Sequence, residues 1–258
     1  MNKYFNGLFV SEYIVKEQKG IVIVTHGIAE HSFYYLYTKD VLVKNGYSVV
    51  LYDLRGHGQS KGSRGYIKNF KVYVEDLNNL VKYYKNLYKT NVLLIGHSLG
   101  ALITGLYTCF YSDITSCVLS ACNFQTPKEL LFLRKIPKFI LNLKKIKTNF
   151  NDTNLQKNPV TTYDPYNLKS FRLSLVKETI FLGNSYYNAH KNQIKTPSLF
   201  LQGSLDTIIN SKLTIDSFNS LSVDNKKYIE YSDSRHNLFN DEQKNQVIAD
   251  CITWFNSF

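Results

Sequence analysis

The chain has 258 residues, 44% of them apolar, enough to bury one sizeable core in a single α/β domain. Its net charge of +11 rests on 26 Lys and only 5 Arg. The side chain usual in bidentate recognition of phosphates and bases is therefore scarce, and the charge argues for an anionic surface rather than nucleic acid. The four cysteines (109, 117, 122, 251) form no CxxC pair and no metal-ligand spacing, which points to reduced, structural thiols.

The first twenty residues lack the apolar core of a signal peptide. No run approaches the roughly 18 apolar residues of a membrane span, so a soluble, cytoplasmic protein is expected. In chain order, strands are predicted at 8–15 (antiparallel), Ile21–Thr25, Tyr47–Tyr52, 92–95, Ser116–Ser120, 198–201 and 227–231. Helical spacing covers 70–88, where Phe70, Val74, Leu77, Val81, Tyr84 and Leu87 recur, and also 101–111 and 246–255. Strand–helix alternation predicts a mainly parallel central sheet with helices on both faces and a site at the strands' carboxyl ends. Residues 122–197 break the rhythm, with helical patches and no convincing strand. They predict a helical cap inserted between a first core segment, 1–121, and a second, 198–258.

Two Gly-x-Ser-x-Gly pentapeptides occur, at 58–62 and 96–100. The second lies in NVLLIGHSLGALITGLY, an apolar strand running into an apolar helix, as a nucleophile elbow requires. The first lies in RGHGQSKGSRG with no apolar helix behind it, which makes Ser60 a loop residue and Ser98 the candidate nucleophile. A serine needs a base, itself oriented by an acid. Asp206, in a turn just past a strand, and His236, between the last strand and last helix, stand where the order Ser–acid–His puts them. Asp216 and Asp233 are alternative acids, but neither directly follows a strand. His190 has no supporting motif, and His97 is expected to turn away from the serine. The oxyanion donors are expected to be Leu99 N–H and Ile28 N–H, the latter in THGIAEHS, where His26, Glu30 and His31 brace the loop. No metal site is predicted, since nothing completes a ligand set around those three residues.

The segments HGIAEHS (26–32), LYDLRGHGQSKGSRGYI (51–67), GHSLGA (96–101), LQGSLDTI (201–208) and SRHNLF (234–239) resemble the monoacylglycerol lipase and lysophospholipase group of α/β hydrolases, also classified as serine-aminopeptidase-like. The resemblance weakens over 122–190. It implies an α/β-hydrolase fold with a lid, the triad Ser98, Asp206 and His236, and backbone donors at Ile28 and Leu99. It also places His57 and Ser60 in a structural GHGxS turn. Residue 28 is often small in such loops, so Ile28 narrows the acyl pocket while keeping the donor.

Within the insertion, Phe132, Ile136, Phe139, Leu143 and Ile146 recur at helical spacing across 127–147. Lys128, Arg134, Lys135, Lys138, Lys144, Lys145 and Lys147 against Glu129 give a local net charge of +6, and Pro137 is expected to start a new helix. A basic amphipathic helix suits an anionic membrane interface; it equally suits a lid that packs its apolar face and solvates its lysines. The expected activity is cleavage of carboxylic esters of single-chain lipids through an acyl-enzyme on Ser98, with no cofactor and no nucleic-acid partner. Another acyl hydrolase on the same residues (small-ester esterase, thioesterase or aminopeptidase) and a non-catalytic binding protein are the alternatives. The oligomeric state is left open.

Overall fold

Runs of Val, Ile and Leu bounded by turn residues fill the centre of the sheet, where both faces are covered and only apolar side chains are stable. In a computed structural model, which describes residues 1–159 and 163–258, the first strands are β1 (Asn2–Phe5), β2 (Leu8–Tyr13), β3 (Gly20–Thr25), β4 (Tyr47–Tyr52) and β5 (Val92–His97). They are followed by β6 (Ser116–Ser120), β7 (Lys145–Lys147), β8 (Ser170–Arg172), β9 (Ser198–Gly203) and β10 (Lys226–Tyr231). Eight strands form one sheet in the order β1-β2-β4-β3-β5-β6-β9-β10. All pairings from β4 to β10 are parallel; β2 joins β4, and β1 joins β2, antiparallel.

The helices are α1 (Leu36–Lys44), α2 (Lys71–Tyr88), α3 (Leu99–Phe110), α4 (Lys138–Leu141), α5 (Leu173–Val176), α6 (Asn184–His190), α7 (Ser211–Asn219) and α8 (Lys244–Phe255). The two-residue period of β3 divides the core. Ile21 and Ile23 pack with α2 and α3 on one face, and Val22 and Val24 with α1 and α8 on the other. This is the expected mainly parallel sheet of an α/β-hydrolase fold, helices on both faces. No helix among the described residues is long and apolar enough to cross a membrane.

Residues 122–197 leave the sheet between β6 and β9, and here the structure departs from expectation. No continuous amphipathic helix forms over 127–147. A 3₁₀ segment (Lys128–Arg134) gives way at Pro137 to the single turn α4, and then to β7, which pairs antiparallel with β8. A proline has no N–H to continue the preceding helix, so it begins a new one. Among the described residues the expected apolar stripe is left mostly uncovered: the buried side chains are Leu133 and Leu141, packed with Val176 and with Ile136 against them, whereas Phe132, Phe139, Leu143 and Ile146 are exposed. The rest of the insertion holds α5, a π-helical stretch (Lys177–Gly183) and α6. Three of its residues, 160–162, lie outside the described residues.

Candidate active site

The carboxyl ends of β3, β5, β9 and β10 converge on one edge of the sheet, and each delivers a residue singled out by sequence. Ser98 sits between β5 and α3 with φ 52° and ψ −114°, in a backbone region costly for a residue with a Cβ, about 1–3 kcal/mol. Small neighbours make the turn possible: a Cβ at Gly100 would lie 2.0 Å from the Thr25 carbonyl oxygen, and one at Gly96 would lie 2.3 Å from that of Gly100. Ser98 N–H donates to Ser120 O at 2.9 Å, tying the strained residue to β6.

His236, in the loop after β10, places Nε2 at 3.0 Å from Ser98 Oγ and Nδ1 at 2.8 Å from Asp206 Oδ2. Asp206 follows β9. Its Oδ1 accepts from Ile208 N–H at 2.8 Å and Ile209 N–H at 2.9 Å, and Oδ2 accepts also from Gln202 Nε2 at 3.2 Å. Burial pushes the Asp206 carboxyl up, but His236 and the two backbone donors outweigh it, and the net direction is down. A carboxylate kept ionised can only accept, so Nδ1 carries the imidazole proton and Nε2 is left to accept from the Ser98 hydroxyl.

Ile28 lines the cavity beside Ser98. Leu99 is the first residue of α3, where an N–H has no intrahelical acceptor. Among the described residues, neither the Ile28 nor the Leu99 N–H has a protein acceptor. Two donors close to the serine are thus free for an oxygen from outside the protein. The cavity, about 310 Å³, has Ile28, Ala29, Phe150, Leu155, Phe171 and Ile208 among its apolar lining.

The remaining sequence candidates fall outside this relay. Ser60 is buried, donates to Asp53 O at 2.5 Å and accepts from Phe9 N–H at 2.8 Å. Asp216 faces Lys212 at 3.3 Å, Asp233 is exposed, and His190 Nδ1 bonds to Tyr186 O at 2.8 Å. His97 bonds to neither Ser98 nor Asp206 among the described residues. Its ring packs at 4.9 Å on that of His236, held by Asn237 Oδ1 at 3.2 Å and Ser120 Oγ at 3.3 Å. Burial lowers His26, His57 and His97 to about 3, so all three are neutral near pH 7. Among the described residues no group of three or more His, Cys, Asp or Glu side chains is placed to hold a metal.

Several buried polar residues that sequence reasoning passed over support the site. Gln202 holds Asp206 and is itself held by Thr214 Oγ1 at 2.6 Å. Asp241 accepts from Arg235 N–H at 2.7 Å and Lys157 N–H at 2.8 Å, fastening the His236 loop to the insertion. On the opposite wall, His31 Nε2 meets Asp164 Oδ2 at 2.8 Å and Leu168 N–H donates to Ala29 O at 3.0 Å. Short polar residues in loops give no periodic signal, and only the HGIAEHS segment drew attention to His31.

A family model described as serine aminopeptidase S33 matches residues 16–243. Phospholipase YtpA of Bacillus subtilis is 22% identical over 237 residues, covering 88% of this chain and 91% of its own. Monoglyceride lipase of Rattus norvegicus is 28% identical over 248 residues, covering 92% of this chain and 82% of its own. The crystal structure of Paleococcus ferrophilus monoacylglycerol lipase has the same fold, with a TM-score of 0.82 at 24% identity over 97% of this chain and 98% of its own. The chain belongs to the serine aminopeptidase S33 family, within the α/β hydrolases that resemble monoacylglycerol lipases and lysophospholipases.

Proposed function

We propose that this chain is a lipid ester hydrolase that cleaves monoacylglycerol or lysophospholipid through an acyl-enzyme on Ser98. The observation that carries the proposal is the Asp206–His236–Ser98 chain of hydrogen bonds, at 2.8 and 3.0 Å, opening into an apolar-lined cavity. His236 Nε2 takes the Ser98 proton as Oγ attacks the ester carbonyl. Leu99 and Ile28 N–H bind the resulting oxyanion, and Asp206 stabilises the imidazolium. His236 then protonates the departing alcohol, and in the second half it activates the water that releases the fatty acid. A volume near 310 Å³ suits one acyl chain better than two. Relatives named as phospholipase and monoglyceride lipase support the substrate class.

The rim of the insertion adds a peripheral contact with an anionic lipid surface to this proposal. Phe139 and Leu143 are 70% and 82% exposed, beside Leu131, Phe132, Ile140 and Ile146, a density of exposed apolar side chains that calls for a partner. Interleaved with them, Lys128, Arg134, Lys135, Lys144, Lys145 and Lys147 are exposed and have no carboxylate partner among the described residues. Lys138 alone turns inward, to Glu178 Oε1 at 2.8 Å. Ile146 and Lys147 also line the cavity, so the same edge meets both lipid surface and substrate.

Turnover of p-nitrophenyl esters from short to long chain, monoacylglycerol, lysophosphatidylcholine and an aminoacyl anilide tests the substrate class. Preference for medium or long acyl esters is expected; cleavage of the anilide alone would overturn the lipid reading. Co-sedimentation with phosphatidylglycerol-containing vesicles, weakened by salt and by Leu143→Glu, is expected for the membrane contact. Equal, salt-insensitive binding to phosphatidylcholine vesicles would contradict it.

A further inference from the structure

The Gly27–Ile28 peptide carries one of the two donors in the mechanism above, and side chains hold Gly27 at both its carbonyl and its N–H. Its carbonyl bonds to His26 Nδ1 at 2.7 Å, and His26 Nε2 accepts from Leu54 N–H at 2.9 Å, so the ring is fixed at both nitrogens. In a trans peptide C=O and N–H point in opposite directions, so gripping the Gly27 carbonyl aims the Ile28 N–H the other way. On the near side of the same residue, Glu30 Oε2 accepts from Gly27 N–H at 3.0 Å, and Tyr35 Oη–H donates to that oxygen at 3.2 Å. Glu30 is 4% exposed and lines the same cavity as Ser98. Between them Ala29 has φ 66°, a left-handed conformation that L side chains rarely adopt, so the turn from 27 to 30 needs a bond to keep it closed. The Ser98–His236–Asp206 relay makes no use of Glu30.

We propose, resting on Ser98 as nucleophile and Ile28 N–H as oxyanion donor, that Glu30 is a positioning residue for the reaction. Its oxygen, braced by Tyr35, holds Gly27 N–H, in the peptide just before Gly27–Ile28, and so fixes Gly27 and the direction in which Ile28 N–H meets the tetrahedral oxyanion. The role requires an acceptor at that place, and a charge is not needed. Burial raises the Glu30 carboxyl above its ordinary range, against the opposing pulls of Gly27 N–H, His236, Tyr35 and His31. A neutral carboxyl still accepts both bonds through its carbonyl oxygen, and it adds no negative charge beside the developing oxyanion.

The test compares wild type, Glu30→Gln, Glu30→Met and Tyr35→Phe in steady-state hydrolysis of p-nitrophenyl hexanoate, with thermal melting of each and Ser98→Ala as the blank. Glutamine keeps the acceptor and is expected to hold kcat and KM within about threefold of wild type. Methionine matches the length without an acceptor. It is expected to lose kcat by about 100-fold while KM stays within about threefold, because a donor displaced by a fraction of an ångström fails only in the transition state. Its affinity for an alkyl boronic acid, whose serine adduct is tetrahedral, should fall by a similar factor. If Glu30→Met does not fold, Tyr35→Phe still reads the brace, with an expected loss of kcat of about fivefold. Unchanged kcat in the folded variants, a loss confined to KM, or Gln as impaired as Met would overturn the inference. A Ser98→Ala as active as wild type would instead remove the reading of the site beneath it. A dead Ser98→Ala beside an unimpaired Glu30→Met removes only the role of Glu30.

Discussion

Residues 58–62 and 96–100 spell the same Gly-x-Ser-x-Gly pattern, and the fold gives the two serines opposite chemistry. Ser60 is saturated: its hydroxyl donates to Asp53 O and accepts from Phe9 N–H, linking β2 to the loop after β4. Its proton goes to a backbone carbonyl, and Ser60 is not among the residues that line the cavity beside Ser98. Among the described residues the Ser98 hydroxyl has a single partner, His236 Nε2, and the residue stands on a strained backbone beside the cavity. A serine becomes a candidate nucleophile through what its neighbours leave unsatisfied. The surrounding glycines serve both ends, permitting a tight turn in one place and a close strand–helix approach in the other.

Asp206→Asn should lower kcat by about 10⁴-fold without unfolding the protein, because an amide in that place allows the wrong imidazole tautomer. The measurement is turnover alongside thermal melting, and a loss under tenfold would contradict the orienting role. Ser60→Ala should leave kcat within a fewfold of wild type yet cost about 1–3 kcal/mol of stability, since two buried backbone groups lose their partner. Denaturant unfolding and turnover of the same preparation separate the two effects; a large kcat loss at unchanged stability would reverse the assignment of the serines.

A pH-dependent effect follows from the buried histidines. His26, His57 and His97 are held down near 3, from 6.5, by burial. Between these values the unfolded chain binds more protons than the folded one, so stability falls as pH drops from about 6.5 toward 3. Asp206, also lowered, adds to this loss below its ordinary value of 3.8. Glu30 and Asp76, raised by burial, act in the opposite sense, and three histidines outweigh them in the window above pH 4.5. Melting temperatures at pH 7, 6, 5 and 4.5 should decline steadily, and a flat profile would contradict neutral, buried imidazoles.

Where the sequence carries a strict period, it foretells the structure: β3 to β6, α2 and α3 form where their apolar spacing puts them. Ser98 and Asp206 became candidates for a related reason, since each sits in a turn just beyond an apolar strand, and His236 because it lies between the last strand, KKYIEY, and the last helix. Elements with little buried surface were not. α1 buries only Thr38 and Leu42, leaving no apolar stripe to read. β1 is a polar edge strand, yet Asn6-Gly7, with φ 50° and 85°, is a hairpin-turn signal that could have revealed it. In the insertion the helical spacing of Phe132, Phe139 and Leu143 misled, because those side chains face outward and are left exposed among the described residues. Gln202 and Asp241 escaped notice because a polar residue's burial depends on contacts far away in sequence.

The most direct test of the central claim is reaction with a fluorophosphonate probe, followed by peptide mass mapping. Labelling of Ser98 alone, abolished by Ser98→Ala and strongly slowed by His236→Ala, is the predicted result. Labelling of Ser60, or none on a folded protein, would contradict the account and leave the hydrogen-bonded relay without a reaction.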